Sequence, residues 1–203
     1  MDARVRDIQT QTARIGPNSV LQLVPLLDEE LGTGPREMLL NEAGMTHLPA
    51  DEGLMEEGPA AALHQAVRAR YPDLAPTLTR RAGMHTADYI ISHRIPFIVM
   101  HLLQHAPPWL SAHLLAKTIE RHAWTLAGSG DFSIASKRPL AFELYDNPVV
   151  RGEHSDVPLC HWHAAVFQRL FAKLVDPDVK VIETTCCAMG HDACRFEVIS
   201  DNI

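Results

Sequence analysis

The sequence predicts an α+β fold, in which an antiparallel sheet in the C-terminal half (β-β-α-β-β) packs with a helical layer from the N-terminal half. Two observations predict it. Up to about residue 130, apolar residues recur at the spacing of amphipathic helices. Beyond that point the apolar period changes to two, which is typical of strands. We therefore divide the chain into a helical region, 1–130, and an α/β core, 131–203, and expect the two to form one integrated domain.

Proline and glycine residues separate the helices of the N-terminal region. Pro17 precedes the first apolar-periodic run and Gly32 ends it, while Pro72 ends a later helix. A connector rich in glycine, proline and acidic residues, LPADEGLMEEGP, follows a second short helix and is predicted to be a loop. The longer helices are predicted over 20–31, 60–71, 74–93, a segment that ends at 106, and 109–126.

Four strands and one helix are predicted in the C-terminal core. The helix lies within VPLCHWHAAVFQRLFAKLV and begins near Pro158, because its apolar residues follow a spacing of three to four. Alternating residues predict the strands DFSIAS, PLAFELYD, DVKVIETT and ACRFEVIS. The tight segment CCAMGHD joins the last two strands and carries two cysteines, a glycine and a histidine.

Composition and charge exclude several classes of protein. Hydrophobic residues make up 46% and charged residues 21% of the chain, which excludes disordered and fibrous proteins. The net charge is −7 and there is no basic run, so we expect no nucleic-acid partner. No apolar stretch reaches the about 18 residues of a membrane span. The opening MDARVRDIQTQTARIG lacks the apolar core of a signal peptide, so we expect a cytoplasmic protein.

The cysteines predict a metal site. Three of the four fall within nine residues, and in a reducing compartment such clustering indicates metal binding or redox chemistry. Glu183 ends the third strand, Cys186 lies in the turn, and Cys194 begins the fourth strand, so a hairpin brings them together. Cys160, at the start of the amphipathic helix, is the candidate fourth ligand. Three thiolates and one carboxylate form a closed tetrahedral set for zinc, and thiolates disfavour magnesium and calcium.

Two alternatives remain open from the spacing alone. Cys187 and His191 compete as ligands, although adjacent residues in an extended segment point in opposite directions, so Cys186 and Cys187 are not expected to bind one ion. The other interpretation is that these residues are buried, reduced cysteines without a metal, since free cysteine is among the most buried residue types.

The segment PLCHWHAAVFQRLF, followed by VIETTCCAMGHDACRFEV, resembles the vinyl reductase-type (4-vinyl reductase) ligand-binding domain family. In sensor members of that family, a helix cysteine, a Glu-x-x-Cys pair and a later cysteine form a structural zinc site below a small-molecule pocket. The resemblance implies that Cys160, Glu183, Cys186 and Cys194 bind zinc here. The opening ARIGPNSVLQLVPLLDEELG is also similar to family members of bacteriochlorophyll biosynthesis.

The resemblance implies three functions. One is a reductase of the vinyl group of a (bacterio)chlorophyllide precursor. However, no GxGxxG motif for a nucleotide cofactor follows a strand. If zinc binds three of the four cysteines, too few remain for an iron–sulfur cluster. A closed zinc site also has no open position at which a substrate could bind. We therefore prefer a carrier or accessory protein, without catalytic residues, that binds magnesium-protoporphyrin or its monomethyl ester. The third is an assembly factor for neighbouring enzymes of the pathway, and a homodimer is a further expectation from the family.

Aromatic and histidine side chains are the candidate ligand-binding residues. Trp109, His113 and Trp124 fall near one face of the helix predicted over 109–126 and offer stacking surface and an axial nitrogen. Phe142 and Phe167 are candidates for the opposite wall. A solvated face or a hydrogen-bonded core histidine is the preferred explanation of the helix residues, and ordinary core packing explains the two phenylalanines equally well. Further candidates are the stripes His85–Tyr89–His93 and His101–His105, and, for the ligand's carboxylates, Arg80, Arg81 and Arg121.

Overall fold

The computed structural model describes residues 13–203 and has the predicted α+β fold. Part of the opening segment that argued against a signal peptide, residues 1–12, lies outside the described residues. The helices are α1 (Asn18–Leu21), α2 (Val24–Leu31), α3 (Thr33–Glu42), α4 (Glu57–Arg70), α5 (Ala75–His93), α6 (Phe97–His105), α7 (Pro108–His122), α8 (Trp124–Ala127) and α9 (His161–Leu174). The strands are β1 (Arg14–Ile15), β2 (Met55–Glu56), β3 (Asp131–Lys137), β4 (Leu140–Tyr145), β5 (Lys180–Thr185) and β6 (Ala193–Ile199).

The main sheet confirms the predicted β-β-α-β-β order. Its four strands are antiparallel in the order β3-β4-β6-β5. Along β6, Cys194, Phe196 and Val198 alternate with more exposed residues and face the interior. Phe196 lies 5.3 Å from Phe167 of α9, measured between ring centroids, so α9 covers this inner face.

Three details differ from the sequence predictions. The helix predicted over 20–31 is split into α1 and α2, because Pro25 has no N–H with which to continue the hydrogen-bond ladder. The helix predicted over 109–126 is divided at Ala123 into α7 and α8. Within the connector predicted to be a loop, β2 pairs with β1, and Arg14 of β1 donates a hydrogen bond to the Leu54 carbonyl at 2.9 Å.

Helix α5 packs tightly against α9. A Cβ on Gly83 would lie 2.3 Å from the Trp162 carbonyl oxygen, so only glycine permits this approach. Three residues along α5, the Thr86 hydroxyl accepts a hydrogen bond from the Trp162 indole N–H at 3.2 Å. Arg169 of α9 also donates to Asp88 of α5, at 2.8 Å. These contacts fix the start of α9 relative to the helical layer.

Buried residues of the helical layer and of the sheet form one hydrophobic cluster. The division at residue 130 stays a prediction about the folding units. Among residues 13–203, no helix combines the length and the apolar character needed to cross a bilayer.

Candidate functional site

The predicted metal ligands meet at the junction of β5, β6 and the start of α9. Cys160 immediately precedes α9, Glu183 lies in β5, Cys186 follows β5, and Cys194 lies in β6. One ligand atom from each lies within 4.8 Å of the others. The Sγ–Sγ distances are 3.3 Å for Cys160–Cys194, 3.8 Å for Cys186–Cys194 and 3.9 Å for Cys160–Cys186. Tetrahedral zinc with Zn–S bonds of about 2.3 Å requires sulfurs about 3.8 Å apart. The cluster can therefore hold a metal ion with little rearrangement.

The turn between β5 and β6 decides which of its two cysteines faces the cluster. Cys186 is extended and fully buried, whereas Cys187 begins a short 3-10 helix that ends at Gly190 in the left-handed conformation. The Cys187 thiol points toward the carbonyls of Leu144 and Asp192, each 3.8 Å away. Cys187 is therefore not part of the cluster, and His191 is exposed outside it.

Glu183 provides the clearest sign that a cation fits. Its Oε2 accepts the Cys160 backbone N–H at 2.7 Å, whereas its Oε1 is buried and has no hydrogen-bond partner among the described residues. Burial, together with the negative charge of Cys186, raises the pKa of this carboxyl to about 8. A metal ion at the cluster would neutralise the carboxylate and satisfy the free oxygen.

The thiols form a hydrogen-bonded set. Burial raises the pKa of Cys160, while hydrogen bonds from Cys160 and Cys194 lower the pKa of Cys186. One thiolate at Cys186 is therefore stabilised by its neighbours. The pKa values of Cys160 and Cys194 are raised, so a metal ion that binds all three thiolates would release their protons.

Asn147 supports the cluster from outside and was missed in the sequence analysis. It is fully buried, and its Nδ2 donates to Cys160 Sγ at 3.2 Å and to Cys194 Sγ at 3.5 Å. Its Oδ1 accepts the Val149 N–H at 3.1 Å, which fixes the orientation of the amide. The only signal in the sequence is an Asn-Pro pair after β4, which indicates a turn and does not indicate a thiolate partner.

A cavity of about 430 Å³ lies on the other side of the start of α9. Trp162 and Leu126, both buried, are part of its lining. Arg94, His122 and Trp124 also line the cavity and are exposed, so they mark its mouth. Its size falls in the range of about 300–1,000 Å³ that is typical of small-molecule sites.

Two polar groups at the mouth are chemically available. His122 Nδ1 lies 2.9 Å from the Thr118 carbonyl oxygen, which only accepts, so in the neutral ring the proton is on Nδ1 and Nε2 has a free lone pair. The Arg94 guanidinium lies 6.0 Å from the Tyr89 ring centroid and forms no ion pair with the residues that the structure describes. A ligand can thus meet a nitrogen donor and a cation at the same mouth.

The predicted ligand-binding residues are separated in the structure. Trp124 lines the cavity, but Trp109 and His113 do not. The side of α7 that faces the cavity carries Leu115, Thr118, Ile119 and His122, and residues 109 and 113 lie on another side of the helix. Phe142 and Phe167 are fully buried in the core, 5.2 Å apart between ring centroids. His122 and Arg94 line the cavity, and neither was among the ligand-binding residues predicted from the sequence.

The arginines considered for the ligand's carboxylates lie elsewhere. Arg81 forms ion pairs with Glu29 and Glu30 of α2, and neither Arg80 nor Arg121 is in the cavity lining. Arg94 directly follows α5. It lies in a histidine-rich stretch, and no sequence pattern marked it as a candidate binding residue.

The chain is similar in sequence to known proteins over most of its length. The V4R domain matches residues 140–200, which contain the four cluster residues and Asn147. The Cereibacter sphaeroides "Bacteriochlorophyll synthase 23 kDa chain" is 50% identical over 186 residues, which cover 92% of this chain and 90% of that protein. The Rhodobacter capsulatus protein of the same name is 42% identical over 188 residues, with coverage of 93% and 88%.

A solved structure supports the fold assignment. The Fe(II) unliganded H-NOX protein from K. algicida superimposes with a TM-score of 0.56 and 12% identity, covering 91% of this chain and 95% of that one. At this identity the likeness shows the fold alone. The resemblance to the 4-vinyl reductase family is confirmed by the sequence matches: residues 140–200 match the V4R domain, and the chain belongs to the family of the bacteriochlorophyll synthase 23 kDa chains.

Proposed function

We propose that this protein is a tetrapyrrole-binding carrier or accessory protein of bacteriochlorophyll biosynthesis, and that its ligand is magnesium-protoporphyrin or the monomethyl ester. The names of its relatives support the pathway. The observation that carries the ligand is the cavity with an apolar floor and, at its mouth, a histidine nitrogen and a guanidinium.

A flat, apolar macrocycle suits the shape and chemistry of this mouth. One edge of the disc enters the cavity above Trp162, while the exposed Trp124 stacks against the part that stays outside. His122 Nε2 would coordinate the magnesium, and the Thr118 carbonyl holds the imidazole in the required tautomer. Arg94 pairs with a propionate. Burial of apolar surface, reduced by the entropic cost of association, supports an affinity of about 1 μM or tighter.

We infer further that zinc occupies the cluster of Cys160, Glu183, Cys186 and Cys194. Four protein ligands complete a tetrahedral shell, so the role of the ion is structural. It would join the start of α9 to the β5–β6 hairpin, two residues before Trp162 on the cavity floor. The metal site would thereby hold one wall of the ligand cavity in place.

A fluorescence titration tests the carrier proposal. The protein is titrated with magnesium-protoporphyrin, its monomethyl ester and metal-free protoporphyrin. We expect saturable binding that prefers the magnesium forms, and a preference that His122→Ala abolishes. His113→Ala is the matched control, because His113 lies on the same helix outside the cavity lining. Absence of saturation with any porphyrin would overturn the proposal.

A second assay separates the carrier from the reductase. The purified protein is incubated with a divinyl substrate and either NADPH or NADH, and the products are separated by chromatography. The carrier proposal predicts an intact vinyl group, because the chain shows no nucleotide-binding motif. Stoichiometric or catalytic reduction would favour the reductase instead.

A further inference from the structure

Helix α6 presents its apolar side to solvent. Phe97 is 76% exposed, Ile98 is 72% exposed and Leu102 is 63% exposed, whereas Leu103 is buried. Together with the exposed His101 and His105, these residues share one face of the helix at spacings of one, four, five and eight. A surface helix normally shows the opposite polarity, with its apolar side toward the core. We call this surface the α6 face.

The α6 face is held outward by contacts on the other side of the helix. The Gln104 side chain donates to the Lys173 carbonyl of α9 at 3.1 Å, and the Ser111 hydroxyl of α7 donates to the Leu103 carbonyl at 2.6 Å. Leu103 packs in the core between these two contacts. On the outer side, Phe97 stacks on His101 at 6.1 Å between ring centroids, and the tilted ring of His105 lies 4.0 Å from that of His101. The helix therefore cannot turn its apolar side inward without breaking these bonds.

The segment of the chain that carries the α6 face differs in charge from the chain as a whole. Residues 89–119 contain no aspartate or glutamate, although the chain has 25 acidic residues and a net charge of −7. Arg94 and Lys117 are the fixed cations of this stretch. Its histidines are His93, His101, His105 and His113. An apolar face inside a segment that lacks acidic groups suits a partner that is apolar inside and negative at its surface.

We propose that the α6 face docks this protein onto an anionic lipid surface. Phe97, Ile98 and Leu102 enter the boundary between headgroups and acyl chains, while Arg94 and the histidines lie at the level of the phosphates. The exposed Trp109, just beyond the end of α6, suits the same interfacial depth. A twofold contact between two copies suits the face less well, because it would bring the same basic groups together without acidic partners.

The position of the α6 face connects it with the cavity. Arg94 and Ile95 line the cavity and directly precede α6 in the chain. Docking through α6 therefore turns the cavity mouth toward the lipid surface, where an apolar ligand is concentrated. The lipid proposal goes beyond the carrier proposal and does not depend on it, since it is tested without any porphyrin.

Vesicle flotation of the full chain tests the docking. We expect binding to vesicles of phosphatidylcholine mixed with phosphatidylglycerol, and weaker binding to phosphatidylcholine alone or at high salt. The double substitution Phe97→Ser/Ile98→Ser should lower partitioning by at least about tenfold, because two large apolar side chains no longer enter the lipid. Met38→Ser/Leu48→Ser is the control, because these two residues are about half exposed and lie far from α6 in sequence. Circular dichroism and thermal melting verify that each variant is folded.

Three outcomes would overturn the proposal. The first is that the unaltered protein fails to float with anionic vesicles. The second is that the α6 double variant, folded, floats as well as the control. The third is a dimer in solution that the α6 substitutions dissociate while vesicle binding is absent, which would assign the face to a second copy. Quenching of tryptophan fluorescence by brominated lipid, reduced in Trp109→Phe, gives an independent supporting readout.

Discussion

The cysteine cluster and the cavity lie on either side of the start of α9 and are built in opposite ways. The cluster is closed: its sulfurs lie within 3.9 Å of one another, and Asn147 and the Cys187 N–H donate to them. The cavity is open, and His122 and Arg94 at its mouth each keep a group available for a ligand. The closed cluster suits the structural metal ion proposed above, and the open cavity suits a ligand that binds and leaves.

Trp162 is the link between the two regions. It lies two residues after Cys160, lines the cavity, and donates its indole N–H to Thr86 of α5. Its ring also meets the buried His64 of α4 edge-on, at 5.8 Å between centroids. A disturbance of the cluster is thus expected to reach the cavity through α9, whereas filling the cavity should leave the cluster intact.

Loss of a cluster thiol should have the largest effect. Cys186→Ser and Cys194→Ser should lose the bound zinc, because each removes one of four ligands. A metal present at about a thousand times its dissociation constant contributes about 4 kcal/mol of stability, so the melting temperature should fall by about 10 °C. Metal analysis and calorimetry measure both effects. Cys187→Ser is the control, since its thiol points away from the cluster; release of the ion by this variant would refute the ligand assignment.

Removal of the Asn147 amide should weaken the cluster without removing a ligand. Asn147→Ala deletes two hydrogen bonds to thiolates and leaves the buried Val149 N–H without its acceptor. We expect zinc affinity to fall by about 10- to 100-fold and the free energy of unfolding by about 2 kcal/mol. Competition with a chelator and urea unfolding measure these changes. Asn41→Ala, at an exposed position of α3, should change neither; equal effects of the two substitutions would argue against a role for Asn147.

Acid should destabilise the fold through the buried His64 of α4, whose ring packs against Trp162. Burial, followed by the nearby Arg68 charge, lowers the pKa of His64 to about 3 from the ordinary 6.5. Above pH 6.5 the ring is neutral in both states. Below it, the unfolded chain takes up a proton that the folded chain refuses, so the free energy of unfolding decreases by about 1 to 2 kcal/mol at pH 5.

His64→Gln isolates this pH effect. Glutamine does not titrate, and its amide can replace the ring N–H near the Ser19 carbonyl. Urea unfolding of the protein and the variant at pH 7 and pH 5 should show a smaller decrease for the variant. An identical decrease in both proteins would assign the acid sensitivity to other groups.

Filling the cavity should have the smallest effect on stability. Ile90 of α5 is half-buried and lines the cavity, so Ile90→Phe can place its ring in empty space. We expect a change in the free energy of unfolding within about 1 kcal/mol, unchanged zinc content, and porphyrin affinity at least about tenfold lower. Met84→Phe, at a half-buried position of α5 outside the lining, should retain porphyrin binding. Equal loss in both variants would place the ligand outside this cavity.

The predictions made from local spacing agree with the structure wherever short-range periodicity determines which side chains face the same side. The alternation in ACRFEVIS predicts that Cys194 and Phe196 face the same side of a strand, and both are buried in β6. The separation of Glu183, Cys186 and Cys194 predicts their convergence, because a hairpin returns its two strands to each other. Only Cys160 required a long-range assumption, that α9 packs on the sheet.

The sequence by itself determined the α+β class, the β-β-α-β-β order of the core along the chain and the convergence of Glu183, Cys186 and Cys194, since each depends on alternation or spacing along neighbouring residues. Tertiary structure alone decided the cavity. Its mouth combines Arg94 after α5 with His122 and Trp124 around the break at Ala123, and its floor includes Trp162 of α9. Which side chains meet there depends on how distant helices pack and where they bend, and no pattern within one segment specifies that.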